Sequence, residues 1–387
     1  MRIYTSIADL RRRAQQRVPR AIFEYADRGS YDELTLRRNR AALEALELRQ
    51  RVMIDLTQRS TATTVLGQPW SMPVAIAPTG LTGLFHRDGE IQGALAAEAF
   101  GVPFALSTMS ICSIEDVRAA VTQPFWFQLY MMKDRGFNEE MVARALAAQC
   151  SALILTVDLV VQGLRRRDVH NGLTIPPRFT LANLLDIMTR PRWALGVLCG
   201  KRRSFGNLAG RIEASSGLGT LSQWIASQSD ASITWKEIDW LRARWPGKLI
   251  VKGILDVEDA KLAAAAGVDA MIVSNHGGRQ LDGAPATISV LPEVVEAAAG
   301  RCEVLFDGGV QCGQDVLKAL ALGARACLVG KSFLYGLAAD GRRGVTRMLE
   351  ILRAELEVSM ALTGCTDVRH IDRRVLRLPS HLSGSPS

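Results

Sequence analysis

Little in this sequence suits a disulfide framework or a structural zinc. The seven cysteines are scattered at Cys112, Cys150, Cys199, Cys302, Cys312, Cys327 and Cys365, an odd count with no CxxC pair, so neither kind of cross-link is expected. Such usage fits a reducing cytoplasm. The opening residues, RIYTSIADLRRRAQQR, lack the apolar core of a signal peptide. The longest uncharged run, Ser60 to Phe85, is broken by Pro69, Pro73 and Pro78, so it is no membrane-spanning helix. No GxGxxG follows the first predicted strand, which argues against a doubly wound dinucleotide fold. Val329-Gly330-Lys331-Ser332 ends like a P-loop, but the glycine required five residues before Gly330 is Arg325. The basic residues are dispersed and no motif accompanies them, so nucleic acid is not an expected partner.

What is present begins with bulk. The 387 residues are 48% hydrophobic, enough for a sizeable core, either as two domains or as one large α/β domain with additions. A net charge of +8 suits an acidic partner such as anionic lipid or a small anion. Residues 6–48 read as short amphipathic helices, with Ser6 capping the first and Pro19 starting the second. From Met72 a rhythm sets in of short apolar runs, polar or glycine breaks and helical stretches. The strand candidates are 72–78, 103–108, 125–130, 152–158, 248–253, 270–275, 303–308 and 326–331. Continuous apolar runs imply strands buried on both faces, as in a parallel sheet. Strands each followed by a helix over this length predict a TIM (β/α)8 barrel, with a doubly wound open sheet as the alternative. The expected layout is a single domain over 1–387. It has an N-terminal helical segment (1–70), barrel halves at 72–158 and 248–350, a loop insertion at 159–233 and a tail at 366–387.

Barrel active sites sit where strands end, so those ends can be read in turn. They supply Pro78, Thr79 and Gly80; Ser107; Gln128 and Tyr130; Thr156 and Asp158; Lys252; Ser274 and His276; Asp307, Gly308 and Gly309; and Gly330 with Lys331. The stretch Met271–Gly283 carries a base, His276, and a fixed cation, Arg279, on a loop where Gly277 and Gly278 allow a tight turn. Glycines after strands seven and eight suit a phosphate. Ser107, Gln128, Thr156 and Lys252 can hydrogen-bond a planar heterocycle across the barrel mouth. Lys252 there would stabilise negative charge on a reduced flavin; a pairing with a buried carboxylate or a Schiff-base role are its alternatives. Asp158 can orient His276 or cap a turn. Arg165 and Arg279 can clamp a carboxylate, though Arg165 also fits a solvated basic face. Tyr25 and Tyr130 can donate hydroxyls or simply pack.

SNHGGRQLD, the PTG at 78–80, FQLY at 127–130, TVD at 156–158 and VKG at 251–253 together resemble the FMN-dependent L-2-hydroxy acid dehydrogenase/oxidase family, from about Ile7 to Cys365. The likeness is strongest to its membrane-associated bacterial lactate and mandelate dehydrogenases. The resemblance implies a TIM barrel and FMN. It implies His276 as the base oriented by Asp158, Arg165 and Arg279 on the substrate carboxylate, and Tyr130 and Tyr25 on its oxygens. Lys252 would face the flavin, which Thr79, Gly80, Ser107, Gln128, Thr156 and Ser274 would line. Three departures stand out. Gln311 and Lys331 replace arginines usual at the phosphate, which predicts weaker FMN retention. Met109 stands where some oxidases carry a tryptophan, leaving room for a larger substrate. Gly80 favours a dehydrogenase over a peroxide-producing oxidase. A flavin-dependent isomerase and a non-catalytic flavin-binding protein are the other readings. Family likeness further implies a quinone or other membrane acceptor, a homotetramer, and peripheral attachment to the inner face of the plasma membrane. The insertion segment 178–203, whose only large aromatic residues are Trp193 and Phe179, fewer than a strong membrane anchor needs, is read as docking on anionic lipid, or else as an active-site lid or subunit contact.

Overall fold

In a computed structural model the described residues are 3–173, 178, 180–198, 200, 202, 204–208, 227, 228 and 230–377. Strands β1 (Val74–Ile76), β2 (Ala105–Ser107), β3 (Trp126–Leu129), β4 (Ala152–Thr156), β5 (Lys248–Ile254), β6 (Ala270–Val273), β7 (Glu303–Asp307) and β8 (Ala326–Val329) form one parallel eight-stranded sheet, with β8 paired to β1. The ring closes between β1 and β2 through an Ile76–Phe104 bridge, where the Ile76 N–H donates to the Pro103 carbonyl at 2.9 Å. This is the expected TIM barrel.

Its strands read as unbroken apolar runs because both faces are buried. Alternate side chains point inward or outward. Ala75, Ala105, Trp126, Ala152, Ile154, Ile250, Ile272, Leu305 and Leu328 belong to the barrel interior, while Ile76, Leu106, Phe127, Leu153, Val251, Val273, Phe306 and Val329 pack against the helices. The amino end is sealed by a hairpin, Thr63–Val65 with Gln68–Trp70, whose Val65, Leu66 and Trp70 join the interior cluster. The Trp70 and Trp126 rings lie 5.6 Å apart across this seal.

Three helices precede the barrel: α1 (Ile7–Arg17), α2 (Arg20–Asp27) and α3 (Leu34–Ala45). Ser6 caps α1 in a capping box with Asp9, and Pro19 stands at the N-cap of α2, one residue before the first turn expected from the sequence. The helix following β8, Lys331–Thr363, is kinked at Asp340–Gly341 and packs along α1.

The described part of the insertion after β4 is mostly helical. It includes Arg166–His170, Leu181–Met188 and Pro191–Leu198. It is strapped to the barrel rim: Asn207 accepts from the Ile114 N–H at 2.9 Å and donates to the carbonyls of Ser107 and Thr108, and Arg202 bridges Asp88 and Asp116. Trp193 is tied to the barrel, because its indole N–H donates to the Leu84 carbonyl at 2.7 Å. The apolar surface that does face solvent is aliphatic, with Leu181, Leu184, Leu185, Met188 and Leu195 all more than half exposed. Phe179 lies outside the described residues, as do 378–387 of the tail. No helix among the described residues is long and apolar enough to cross a membrane.

Candidate active site

The strand ends converge because of register. Residues Ser107, Gln128, Thr156, Lys252, Ser274 and Asp307 each follow an inward apolar residue by two positions, so their side chains also point inward. At the carboxyl end of the barrel Ser107, Lys252 and Asp307 of this row floor a cavity of about 350 Å³, with Gln128, Ser274 and Thr156 directly beside them.

The floor holds two separate hydrogen-bonded groups. Lys252 Nζ lies 2.9 Å from Asp307 Oδ2 and 2.9 Å from Ser274 Oγ, and Ser274 Oγ donates to Asp307 at 3.0 Å. Burial disfavours the Lys252 ammonium, but Asp307 and Asp158 outweigh it and hold its pKa above the ordinary lysine value. Lys252 is therefore a fixed charge, and the carboxylate pairing open in the sequence is present. Ser107 Oγ donates to Gln128 Oε1 at 3.0 Å and accepts from the Met109 N–H at 3.1 Å. Gln128 Nε2 is buried with no partner in the protein. Such an orphan donor costs about 1–3 kcal/mol unless a bound group satisfies it.

Above the floor, His276 Nδ1 stands 3.0 Å from Asp158 Oδ1. Burial lowers the imidazole pKa, against the pull of Asp158, so the ring rests neutral near pH 7. Burial raises the Asp158 carboxyl, but His276 and Lys252 override it and the net shift is downward. His276 has φ 57°, followed by Gly277 at 63° and Gly278 at 74°. A left-handed histidine costs about 1–2 kcal/mol, and the neighbouring packing enforces it. A side chain on Gly278 would meet the Leu36 backbone nitrogen at 2.6 Å. Beneath the loop, Asn39 and Asn275 exchange amide hydrogen bonds at 2.8 Å each way.

Arg279 stacks on Tyr25, with its guanidinium carbon 4.8 Å from the ring centre. It donates to the carbonyls of Tyr25 and, at 3.2 Å, Arg28. Burial and the like charge of Arg165 push its pKa down to about 10. Arg165 is buried too, with Asp168 4.0 Å away, which removes the solvated-face alternative. Tyr130 is pushed above the ordinary tyrosine value, by burial first and Asp158 second, and so stays a neutral donor. Tyr25, Tyr130, Arg165, His276 and Arg279 all line the one cavity.

At its other end lie Gly308 and Gly309, at φ 120° and 90°, then Gln311, and Gly330 ahead of the helix Lys331–Thr363. Pro78, Thr79, Gly80 and Met109 form a side wall. Lys331 does not extend freely into this space: its Nζ donates to the carbonyls of Asp27 at 2.8 Å and Arg28 at 3.4 Å. Burial, then Arg279, pushes it down to about 7. The sequence did not single out Phe205, Gln228, Leu159 and Met132, which also line the cavity. The first three come from the insertion, where no strand rhythm marks which residues turn inward. Arg40 was missed as well; from α3 it reaches the Gly309 carbonyl at 3.0 Å and grips Asp315 at 2.6 and 3.0 Å.

These features fit a phosphorylated flavin. The unpartnered Gln128 amide and buried Lys252 would suit a polar ring at the barrel mouth, and the glycines beside a helix N-terminus would suit its phosphate. The comparisons agree. Residues 14–378 match the FMN-dependent dehydrogenase family. An L-lactate dehydrogenase of Caulobacter sp. (strain K31) is 46% identical over 375 residues, covering 97% of this chain and 98% of that one. A crystal structure of the monotopic membrane protein (S)-mandelate dehydrogenase superposes with a TM-score of 0.92 at 38% identity, over 97% of this chain and 100% of the other. A mandelate oxidase gives 0.82 at 39% identity, over 97% and 98%. The chain belongs to the FMN-dependent dehydrogenase family, and FMN is its cofactor.

Proposed function

We propose that the protein oxidises an L-2-hydroxy acid, mandelate- or lactate-like, to the 2-oxo acid and passes the electrons to a quinone or other membrane acceptor. The observation that carries this reading is the His276–Asp158 pair at 3.0 Å in the same cavity as Arg165, Arg279, Tyr25 and Tyr130. A neutral imidazole is ready to accept a proton, and Asp158 stabilises the imidazolium that results. The two arginines hold the carboxylate and the tyrosine hydroxyls hold the substrate's oxygens. FMN supplies the two-electron acceptor. Lys252, charged at the barrel centre, would stabilise negative charge on the reduced cofactor, and Thr79, Gly80, Ser107, Gln128, Thr156 and Ser274 would line its ring. Backbone N–H groups at Gly308, Gly309 and Gly330 would share the phosphate with Lys331, with Gln311 and Asp307 in the same lining.

Gly80 and Met109 bear on the acceptor and the substrate. A Cβ at Gly80 would lie 3.1 Å from Met109 Cβ and 3.2 Å from its carbonyl oxygen, so glycine leaves Met109 room over the flavin. We read this as favouring a dehydrogenase that accepts bulky acids. The exposed leucines of 181–195, with basic neighbours Arg190 and Arg192, suit an anionic membrane surface; the likeness to a monotopic enzyme supports peripheral attachment. The inner face and a homotetramer are part of this reading.

The test is an anaerobic visible spectrum of FMN-loaded protein before and after L-mandelate and L-lactate. Bleaching of the flavin band is expected, and the acid that bleaches it faster is the better substrate. Slow recolouring in air is expected of a dehydrogenase; fast recolouring would make it an oxidase, as in the mandelate oxidase it resembles. A bound flavin that neither acid bleaches would sink the proposal.

A further inference from the structure

Two partly buried cations in this cleft, Lys331 and Arg279, form no salt bridge among the described residues. Both are held by main-chain carbonyls at the carboxyl end of α2. Lys331 donates to Asp27 and Arg28, Arg279 to Tyr25 and Arg28, so the Arg28 carbonyl is shared at 3.4 and 3.2 Å. The last carbonyls of a helix lack intrahelical partners and carry its negative end, which makes them suitable holders for charge.

That helix end is itself fixed. The Asp27 carboxylate receives Arg11 in a bidentate pair at 2.6 and 2.7 Å and the Tyr335 hydroxyl at 2.8 Å. Tyr335 lies one turn beyond Lys331 on the same helix, so the backbone that carries Lys331 and the carbonyls its ammonium touches are held in fixed register. The Lys331 stem also passes over the His276 loop, its Cε 3.7 Å from where a Gly277 Cβ would be.

We propose that this shared helix end couples the two anion-binding ends of the cleft: through the Arg28 carbonyl, Lys331 positions Arg279, so that FMN phosphate and a substrate carboxylate strengthen each other's binding. The inference rests on the reading above, in which Lys331 meets the phosphate and Arg279 the carboxylate. A phosphate draws Lys331 away from Arg28, and that carbonyl then holds Arg279 alone, with its fork set over Tyr25. Each bound anion also offsets the repulsion between the two like charges. Linkage makes the effect reciprocal.

The experiment titrates apoprotein with FMN, with and without oxalate, a carboxylate that has no hydrogen to give up. Oxalate should tighten FMN by about tenfold, within the usual range of coupling between sites. Riboflavin, which carries the ring without the phosphate, should show no more than about a twofold effect. Lys331→Met should abolish the FMN effect and Lys331→Arg should retain it. Equal tightening of riboflavin and FMN would overturn the inference, because the coupling would then run through ring contact. FMN uptake that ignores oxalate, while oxalate still perturbs the bound flavin spectrum, overturns the inference alone. A protein that takes up no FMN overturns the functional reading with it.

Discussion

Asp158→Asn is the sharpest probe of the proposed chemistry. The substitution keeps shape but removes the charge 3.0 Å from His276 Nδ1. Both charges are delocalised, so a separation of about 4 Å is the better measure; at an effective dielectric near 20 their attraction is about 4 kcal/mol. That attraction exists only once His276 has taken a proton, so it lowers the barrier and hardly touches ground-state binding. The anaerobic rate of flavin reduction should fall by about 10³-fold, at 1.4 kcal/mol per decade, with FMN content and substrate dissociation constant nearly unchanged. The pH profile gives a second readout. Burial already lowers the His276 pKa and Asp158 opposes that; losing the carboxylate lowers it further. The acid limb of the rate should therefore move to lower pH while the plateau drops. A general structural defect would lower the plateau without moving the limb. Stopped-flow reduction within tenfold of wild type would refute the assignment of His276 and Asp158 as base and orienting partner.

FMN retention should depend on pH through Lys331, which faces Arg279, Arg11, Asp27 and Glu33 and is pushed down to about 7. It is protonated below that value and neutral above, so apoprotein should bind FMN tightly at pH 6 and progressively less through pH 8 by fluorescence titration, with Lys331→Arg removing the loss. Gly278→Ala places a Cβ 2.6 Å from the Leu36 nitrogen at φ 74° and should destabilise the fold by about 2 kcal/mol or more in urea melts; an unchanged midpoint would mean the loop is looser than described. Replacing Leu181, Leu184, Leu185 and Met188 with serine should cut binding to anionic vesicles by at least about 100-fold, since each buried leucine contributes about 1.5–3 kcal/mol. Reduction of a soluble dye should survive that change, and undiminished vesicle binding would move the docking surface elsewhere. Gly80→Ala should raise KM for L-mandelate more than for L-lactate, because the added methyl crowds Met109 at 3.1 Å; equal changes for both acids would remove Met109 from the substrate wall.

The barrel and its polar floor were legible because one rule governs both. A strand buried on two faces is apolar through its middle, and the first polar residue of inward parity after that apolar run, at 107, 128, 156, 252, 274 and 307, must lie at the mouth. Loop residues such as His276 and Arg279 were legible from their chemistry and their place just beyond β6. Parity fails as soon as the backbone leaves the sheet. Phe205 and Gln228 reach the cavity because Asn207 and the 133–134 backbone hold their segments there, a long-range contact with no local pattern. The same limit applies to Lys331. Its type and position beside a glycine pointed to a phosphate, yet what it touches is the end of a helix some 300 positions away. Its closeness to Arg279 comes from the way α2 is pinned by Arg11 and Tyr335, residues that sequence reading had no reason to connect. The chemistry of each group is written locally. How one group's charge bears on another's is set by the fold, and in this cleft the Arg28 carbonyl is where the two meet.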